Sequence, residues 1–507
     1  MVAFADGCRM LHKLLLLAAG LALCLLTLGT TQAAPRPFPA AVNWYNTAQP
    51  LTWPDLQGRA VLLDFFTPGC INCVHMLPVE KQLTQRFGKR LVIIGVDTPK
   101  FTNSATQSGL ETFLAVHDIR HPVVLDAHYR IWDAWQVFAW PTFFLVGPDG
   151  NVLGRFIGEQ SFSDLAGPIA QALKNVPPTD TLAPLPTQVA TSGARALAAP
   201  GGIIVFGDRV AISDTGHDRV VLTTTSGQVQ AVFGKRCTET GGGQSLFSRP
   251  HGLTFHDGRL FVADTQGQRI RVIDPQAGTV TTLAGSGQRA YVAAGRFPAD
   301  TVKLNSPWDV QWIDDYLYVS MAGNHALWRY DPATRSIGPW AGSGREGLRD
   351  GGLRSAEFAQ PSGLDAHAGT LYVAGPEASA IRAIDVAQGS VETLIGQGLF
   401  KFGLRDGRAS AALLQHAEDV LWYDGALYIA DTFNNALRRL DLGTMRVSTV
   451  TTGLAHPQAL AVLGPGQLLV AESGADRIDQ VDLETGEVTP WPIAGLQPPA
   501  MACKDTE

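Results

Sequence analysis

The stretch "FFTPGCINCVHMLP", Phe65 to Pro78, holds two of the six cysteines of this 507-residue chain. Cys70 and Cys73 are separated by two residues, a spacing found in redox-active dithiols, in halves of metal sites and in structural disulfides. A tetrahedral zinc site needs four ligands, and His75 is the only further candidate close by in the sequence. The sequence on either side of the motif distinguishes these three interpretations.

Strand and helix patterns alternate around the motif. The apolar runs "AVLLDFFT" (60–67) and "LVIIGVD" (91–97) predict buried strands, and "HPVVLD" (121–126) predicts a short one. The segment "PTFFLVGPDGNVLGRFIG" predicts two strands joined by a Pro-Asp-Gly-Asn turn. Helical patterns cover about 70–87, 107–117, 129–135 and 161–173. This order predicts an α/β domain over residues 38–174, a βαβ unit followed by a hairpin and a final helix.

A Pro-rich linker, residues 175–199, separates this domain from a repetitive segment. The copy "HGLTFHDGRLFVADTQGQRIRVID" (251–274) belongs to a pattern that starts at 201 and recurs from 308, 362, 418 and 458. Each copy predicts short strands joined by turns. One four-stranded blade cannot bury both of its faces, whereas six blades in a ring can. We predict an all-β six-bladed propeller over residues 200–496 and a C-terminal tail over 497–507.

Two inter-blade loops of this segment carry near copies of one motif, "GLRDGG" (347–352) and "GLRDGR" (403–408). Loops on a rigid scaffold often carry function, so these loops are candidates for binding a protein partner. The alternative is that they are structural connectors between blades. The chain contains neither an HExxH motif nor a nucleotide-binding loop, so we predict no metal and no cofactor.

The N-terminus has the pattern of an export signal. Arg9 and Lys13 precede an apolar run, and small residues follow at Ala33 and Ala34. We expect residues 1–34 to be cleaved as a signal peptide, which would place the mature chain in the periplasm without a membrane segment. An uncleaved segment would instead anchor the chain to the membrane. The net charge of −7 gives no reason to expect nucleic-acid binding.

Signal cleavage would leave four cysteines, because Cys8 and Cys24 lie in the signal. Cys237 falls in the loop after the first blade and Cys503 in the C-terminal tail. Blade six neighbours blade one in a closed ring, so these two residues are candidates for a structural disulfide. Such a bond would close the ring covalently in an oxidising compartment.

Four features in order make the first domain resemble thioredoxin. Asp64 lies six residues before Cys70, Pro78 lies five after Cys73, and Trp140-Pro141 precedes the last hairpin. The repeats, through "ADTQGQRI" and "ADTFNNAL", resemble NHL-repeat propellers. The whole chain is similar to NHL-repeat-containing thioredoxin-like proteins. Ile71-Asn72 stands where thioredoxin has Gly-Pro, and Gly69 stands where it has tryptophan.

The resemblance implies a role for each of these residues. Cys70, at a helix N-terminus where a thiolate is favoured, would attack a partner disulfide, and Cys73 would resolve the mixed disulfide. Asp64 would lie buried below the pair and accept a proton from Cys73. A cis bond between Trp140 and Pro141 would place the backbone of Trp140 where it pairs with a substrate peptide.

Two hypotheses from different classes follow. The first is an exported thiol–disulfide oxidoreductase that acts on a protein thiol or disulfide, with the propeller recruiting the protein partner. The second is a propeller-based protein-binding scaffold whose thioredoxin-like domain is redox-inert or regulatory. A weaker third interpretation makes the propeller a hydrolase or a lyase.

Overall fold

A computed structural model describes residues 35–176, 182, 185–186, 195–234, 236–237, 243–244 and 246–498. The predicted signal peptide lies outside these residues, as do Cys503 and the side chain of Cys237, so the proposed disulfide between them is not among the described contacts. Within the described part of the chain, no helix is both long and apolar enough to cross a membrane.

The first domain is built on a six-stranded mixed sheet. Its strands β1 to β6 are arranged in the order β1-β4-β3-β2-β5-β6, with β2 parallel to β3 and β3 parallel to β4. The hairpin β5–β6 adds antiparallel strands beside β2. Both β2 and β3 are buried along their whole length, which is why they are continuous apolar runs. The strands are β1 Asn43–Tyr45, β2 Ala60–Phe66, β3 Leu91–Asp97, β4 Val123–Leu125, β5 Thr142–Val146 and β6 Val152–Ile157.

The helical pattern after the cysteines forms two helices rather than one. Pro78 has no N–H to donate to the carbonyl of Val74, so the helix that begins after Cys70 stops within one turn. The edge strand β1 is a further difference, since no strand pattern marked it in the sequence. The helices are α1 Ile71–Val74, α2 Leu77–Phe87, α3 Gln107–Val116, α4 Arg130–Ala134 and α5 Phe162–Ala172, with 3₁₀ turns at Trp53–Leu56 and Gly88–Arg90.

The second domain is the predicted propeller, and its six blades each contain four antiparallel strands. The third, fourth and fifth blades gain a short fifth strand from the preceding loop, at Phe297–Pro298, Gly351–Gly352 and Gly407–Arg408. Blade one is Gly202–Phe206, Arg209–Asp214, Arg219–Thr224 and Val229–Phe233; blade two is Pro250–His256, Arg259–Asp264, Arg269–Asp274 and Thr279–Ala284; blade three is Pro307–Ile313, Tyr316–Met321, Ala326–Asp331 and Ser336–Ala341.

The later blades repeat this arrangement. Four 3₁₀ turns follow the second strands of blades one, three, four and five, at Thr215–His217, Ala322–Asn324, Pro376–Ala378 and Thr432–Asn434. A two-residue ribbon, Arg236–Cys237 with Gly243–Gln244, follows blade one. Blade four is Leu364–His367, Thr370–Gly375, Ala380–Asp385 and Ser390–Ile395; blade five is Asp419–Tyr423, Ala426–Asp431, Ala436–Asp441 and Arg446–Thr452; blade six is Pro457–Gly464, Gln467–Glu472, Arg477–Asp482 and Val488–Pro490.

A closed belt of hydrogen bonds links each blade to the next. In every blade one residue just ahead of the innermost strand has a φ of 44–54°, and its backbone N–H donates to a side chain of the preceding blade. The accepting residues have the same left-handed backbone. The pairs are Arg249 with Asp218 (2.7 Å), Ser306 with Gln268 (2.8 Å), Gln360 with His325 (3.2 Å), His416 with Ser379 (3.1 Å), His456 with Asn435 (3.1 Å) and Ala199 with Asp476 (2.7 Å). The last pair joins blade six to blade one, so non-covalent bonds close the ring.

The two "GLRDG" loops connect neighbouring blades. Asp406, from the second loop, accepts a hydrogen bond at 2.6 Å from the fully buried guanidinium of Arg438. Arg438 also bonds Asp431 at 2.6 Å. In the first loop Asp350 accepts from buried Arg382 at 2.9 Å. The repeated motif therefore ties each loop to the third strand of the blade that follows it, the role of a structural connector.

We predict that Arg438→Ala lowers the free energy of unfolding by about 3–5 kcal/mol, because it leaves the carboxylate of Asp431 buried without its cation. Arg439→Ala is the matched control, since the neighbouring Arg439 makes a partly exposed ion pair with Asp441. That change should cost about 1 kcal/mol or less. Denaturant unfolding of the full chain measures both values, and equal losses would contradict the connector role.

Candidate active site

The two cysteines lie together at the start of α1. Cys70 is the N-cap residue of this helix, and its sulfur accepts the N–H of Cys73 at 3.3 Å. The sulfur atoms are 2.6 Å apart as free thiols. Cys70 is 6% exposed and Cys73 is 3% exposed. The arrangement places Cys70 at the helix start, where a thiol can attack, and Cys73 one turn further in, where it can resolve.

An acidic group lies beneath the dithiol. Asp64, in the middle of β2, is buried, and its burial raises the pKa of its carboxyl well above the usual range. The nearby charge of Glu80, on α2, raises that pKa further. Burial also raises the pKa of the Cys73 thiol, and the neighbouring Cys70 and Asp64 add to the shift. A carboxyl poised in this way can exchange a proton with the resolving cysteine.

The bond between Trp140 and Pro141 is cis, as the sequence analysis expected. The Trp140 ring contacts that of Trp132 in a tilted arrangement, with 4.7 Å between centroids, and it packs against the apolar cluster that contains both cysteines. Thr142 donates to the carbonyl of Ala139 at 2.7 Å and starts β5. The loop that carries the cis bond is therefore fixed beside the dithiol.

The face of the propeller that carries the belt meets the thioredoxin-like domain. We call the six donating residues of the belt the rim residues: Ala199, Arg249, Ser306, Gln360, His416 and His456. Their side chains differ, yet five of them contact the first domain. Arg249 donates to the carbonyl of Val116 at 2.6 Å, and His456 lies 3.4 Å from the amide of Asn103. The other three surround α1.

Two rim residues hold the backbone on either side of Cys70. The side-chain oxygen of Gln360 accepts the N–H of Ile71 at 2.9 Å. The imidazole of His416 lies against Gly69, so closely that a Cβ on this glycine would collide with the ring. Gly69 also has a φ of +89°, which a side chain disfavours. The missing tryptophan at this position therefore makes room for the propeller.

His75, the C-cap residue of α1, also lies in the interface between the domains. It is buried, and its Nε2 lies 2.6 Å from the hydroxyl of rim residue Ser306. Its Nδ1 lies 2.6 Å from a carboxylate oxygen of Glu159 and 2.6 Å from the guanidinium of Arg289. Burial lowers the pKa of His75 in spite of the opposing effect of Glu159. Both ring nitrogens of His75 thus contact residues of the propeller.

Further polar contacts complete the interface around a cavity of about 310 Å³. Lys100 forms a buried ion pair with Glu377, and the N–H of Thr102 donates to Gln415 at 2.8 Å. Pro68, Gly69, Ile71 and residues of α3 line the cavity from one side and the propeller lines it from the other, while neither cysteine is among its lining residues. The cavity therefore lies beside α1 and not over the sulfur atoms.

Two parts of the site were missed in the sequence analysis. Glu80 could have been found, because it shares the buried face of α2 with Leu83 and Phe87 at helical spacing. The rim residues could have been aligned through the repeats, but their side chains have no chemistry in common. Within the described residues, no group of three or more His, Cys, Asp or Glu is placed to hold a metal ion.

We predict that Gly69→Ala lowers the free energy of unfolding by roughly 2–4 kcal/mol, through backbone strain and collision with His416. Gly158→Ala is the matched control, since Gly158 has a φ of +78° but no atom near the position of an added Cβ. The control should cost only about 1 kcal/mol. Thermal or denaturant unfolding gives both values. A Gly69→Ala loss no larger than the control would rule out the close approach.

Comparison with known proteins agrees with this two-domain architecture. A family model for thioredoxin-like domains matches residues 58–152. SUPPRESSOR OF QUENCHING 1, a chloroplastic protein of Arabidopsis thaliana, is 33% identical over 512 residues, which cover 92% of this chain and 48% of that protein. The chain thus spans about half the length of this relative. The thiol-disulfide oxidoreductase ResA of Bacillus cereus is 29% identical over 113 residues, 22% of this chain and 63% of ResA.

The fold and the site define a thioredoxin-like domain joined to an NHL-repeat propeller. NHL repeat-containing protein 2 of Bos taurus is 32% identical over 525 residues, which cover 90% of this chain and 71% of that protein. The chain belongs to the family of this NHL repeat-containing protein.

Proposed function

We propose that this chain is a thiol–disulfide oxidoreductase that uses the Cys70–Cys73 dithiol. The observation that carries the proposal is the placement of the dithiol at the start of α1, above the buried carboxyl of Asp64 and beside the cis bond at Pro141. A redox-inert domain needs neither an acid below its cysteines nor this loop beside them. The similarity to ResA over the same domain supports the proposal.

The reaction is a pair of thiol–disulfide exchanges. The Cys70 thiolate attacks one sulfur of a partner disulfide, so a mixed disulfide forms and the other partner sulfur leaves as a thiolate that takes up a proton. Cys73 then gives its proton to Asp64 and attacks Cys70, which releases the second partner thiol. The partner gains two electrons and the dithiol becomes a disulfide. The reverse sequence oxidises a partner dithiol.

We further propose that the partner is a protein thiol or disulfide in the export compartment, the periplasm. The pattern of residues 1–34 supports the location. In this proposal Trp140 and Pro141 hold the partner segment next to Cys70, and the propeller recruits the partner protein.

Trapping tests the proposal. In the full chain, Cys73→Ala leaves Cys70 able to attack but removes the resolving thiol, so we expect mixed disulfides that accumulate and disappear on reduction. The double variant Cys70→Ala/Cys73→Ala is the control. Non-reducing electrophoresis and mass spectrometry of exported material identify the adducts, and insulin reduction measures the wild-type exchange.

Absence of Cys70-dependent adducts, together with no insulin reduction by the wild type, would rule out the oxidoreductase function. The low exposure of both cysteine residues would then favour the second function, a protein-binding scaffold whose thioredoxin-like domain is redox-inert. Partner capture that survives the double cysteine change would support that scaffold.

We predict that Asp64→Asn slows the resolving step by about 10²-fold or more, because the amide cannot accept the proton of Cys73. The raised pKa of Asp64 means that its carboxylate forms only at higher pH, so the wild-type rate should rise as this group ionises. The variant should lose that rise. Stopped-flow measurement of mixed-disulfide decay between about pH 5 and 9 checks the prediction. An unchanged pH profile would show that Asp64 is only structural.

A further inference from the structure

A propeller side chain accepts the backbone N–H of the residue that follows the proposed attacking thiol. The N–H of Ile71, the residue after Cys70, donates to the side-chain oxygen of Gln360 at 2.9 Å. The N–H of Cys73 donates to the Cys70 sulfur itself. The N–H of Cys73 is thus available to a Cys70 thiolate. The N–H of Ile71 is instead bound by Gln360, which lies 289 residues away in the sequence.

Gln360 is itself held firmly. It is a rim residue with a φ of +50°, and its backbone N–H donates to Nδ1 of His325 at 3.2 Å. Its side chain is buried. On the other side of Cys70, His416 of the next blade fills the space at Gly69. Two neighbouring blades therefore fix the backbone before and after the same cysteine.

The charged and titratable groups around Cys70 come from both domains. Cys73 lies on α1 with its sulfur 2.6 Å away, and Asp64 lies below on β2. His416, above Gly69, has Glu418 at 3.0 Å and Glu377 at 3.7 Å, and Glu377 pairs with Lys100. Gln360 is the uncharged member of this set that bonds the backbone beside Cys70.

We infer that Gln360 is a positioning residue for Cys70, through which the propeller sets the orientation and the ionisation of the attacking thiol. The inference rests on the proposed exchange function and deepens it. An amide oxygen holds the Ile71 N–H without adding a net negative charge near the thiolate. A carboxylate there would hold the same N–H and oppose the thiolate, whereas an apolar side chain would remove the partial negative charge of the amide oxygen and leave the N–H dipole unopposed near the thiolate.

Two variants of nearly the same size test this role in opposite directions. Gln360→Glu keeps the acceptor and adds a charge, so the pH midpoint of Cys70 alkylation should rise by about one unit, a roughly tenfold slower reaction below the midpoint. Gln360→Met removes the acceptor, so the midpoint should fall. The measurement uses iodoacetamide on the full chain with Cys73→Ala, and mass spectrometry follows the peptide that contains Cys70.

Gln458→Glu is the matched control, because Gln458, on blade six, lines the interdomain cavity that Ile71 also lines, and the change adds the same charge. Its midpoint should stay within a few tenths of a unit of the parent. In the chain with both cysteines, the dithiol–disulfide equilibrium of Gln360→Glu should move about tenfold toward the disulfide, or about 30 mV. Thermal unfolding shows which variants remain folded. If Gln360→Glu does not fold, the midpoint of Gln360→Met tests the inference.

Two results would overturn the inference: equal shifts of the alkylation midpoint in Gln360→Glu and Gln360→Met, or no shift in a folded Gln360→Glu variant. A residue with a purely structural role would not make the midpoint depend on the charge of its side chain. The alkylation midpoint needs no partner protein. A failure of the trapping experiment would therefore overturn the exchange function, while a failure of the midpoint experiment would overturn only the role of Gln360.

Discussion

The closed belt of hydrogen bonds between blades is the constraint on which the dithiol site depends. Each bond needs a left-handed backbone at both of its ends, and all twelve positions have it without glycine. Such a conformation costs a non-glycine residue about 1 kcal/mol or more, so the surrounding structure must hold it. The conformation directs the rim side chains toward the other domain. The belt that closes the propeller therefore also aims Gln360 and His416 at the backbone beside Cys70.

The interface between the domains resembles the interior of a folded protein more than a transient contact. Two ion pairs cross it, the buried pair of Lys100 with Glu377 and the partly exposed pair of Arg289 with Glu159. A buried charge that loses its partner is costly, so these pairs favour one relative position of the two domains. The first domain thus does not present its dithiol on an independent surface.

The strands and the dithiol could be predicted from the sequence because local pattern determines them. Apolar runs marked β2 and β3, and four matches in order marked the cysteines, Asp64, Pro78 and the cis bond. The strand β1 has only three residues and mixed exposure, so it left no pattern. The repeats align the positions of the rim residues, but the roles of these residues could not be predicted. Their roles come from contacts such as that of Gln360 with Ile71, 289 residues away, and not from residue type.

The residues that depart from thioredoxin have a common physical explanation. Gly69 is required by the ring of His416, since any side chain there would collide with it. Ile71 is buried and lines the interdomain cavity, and its N–H is bound by Gln360. Asn72 lines a second cavity with Glu159 and Arg289. All three positions face the propeller, so the motif around the cysteines is adapted to a fixed neighbour.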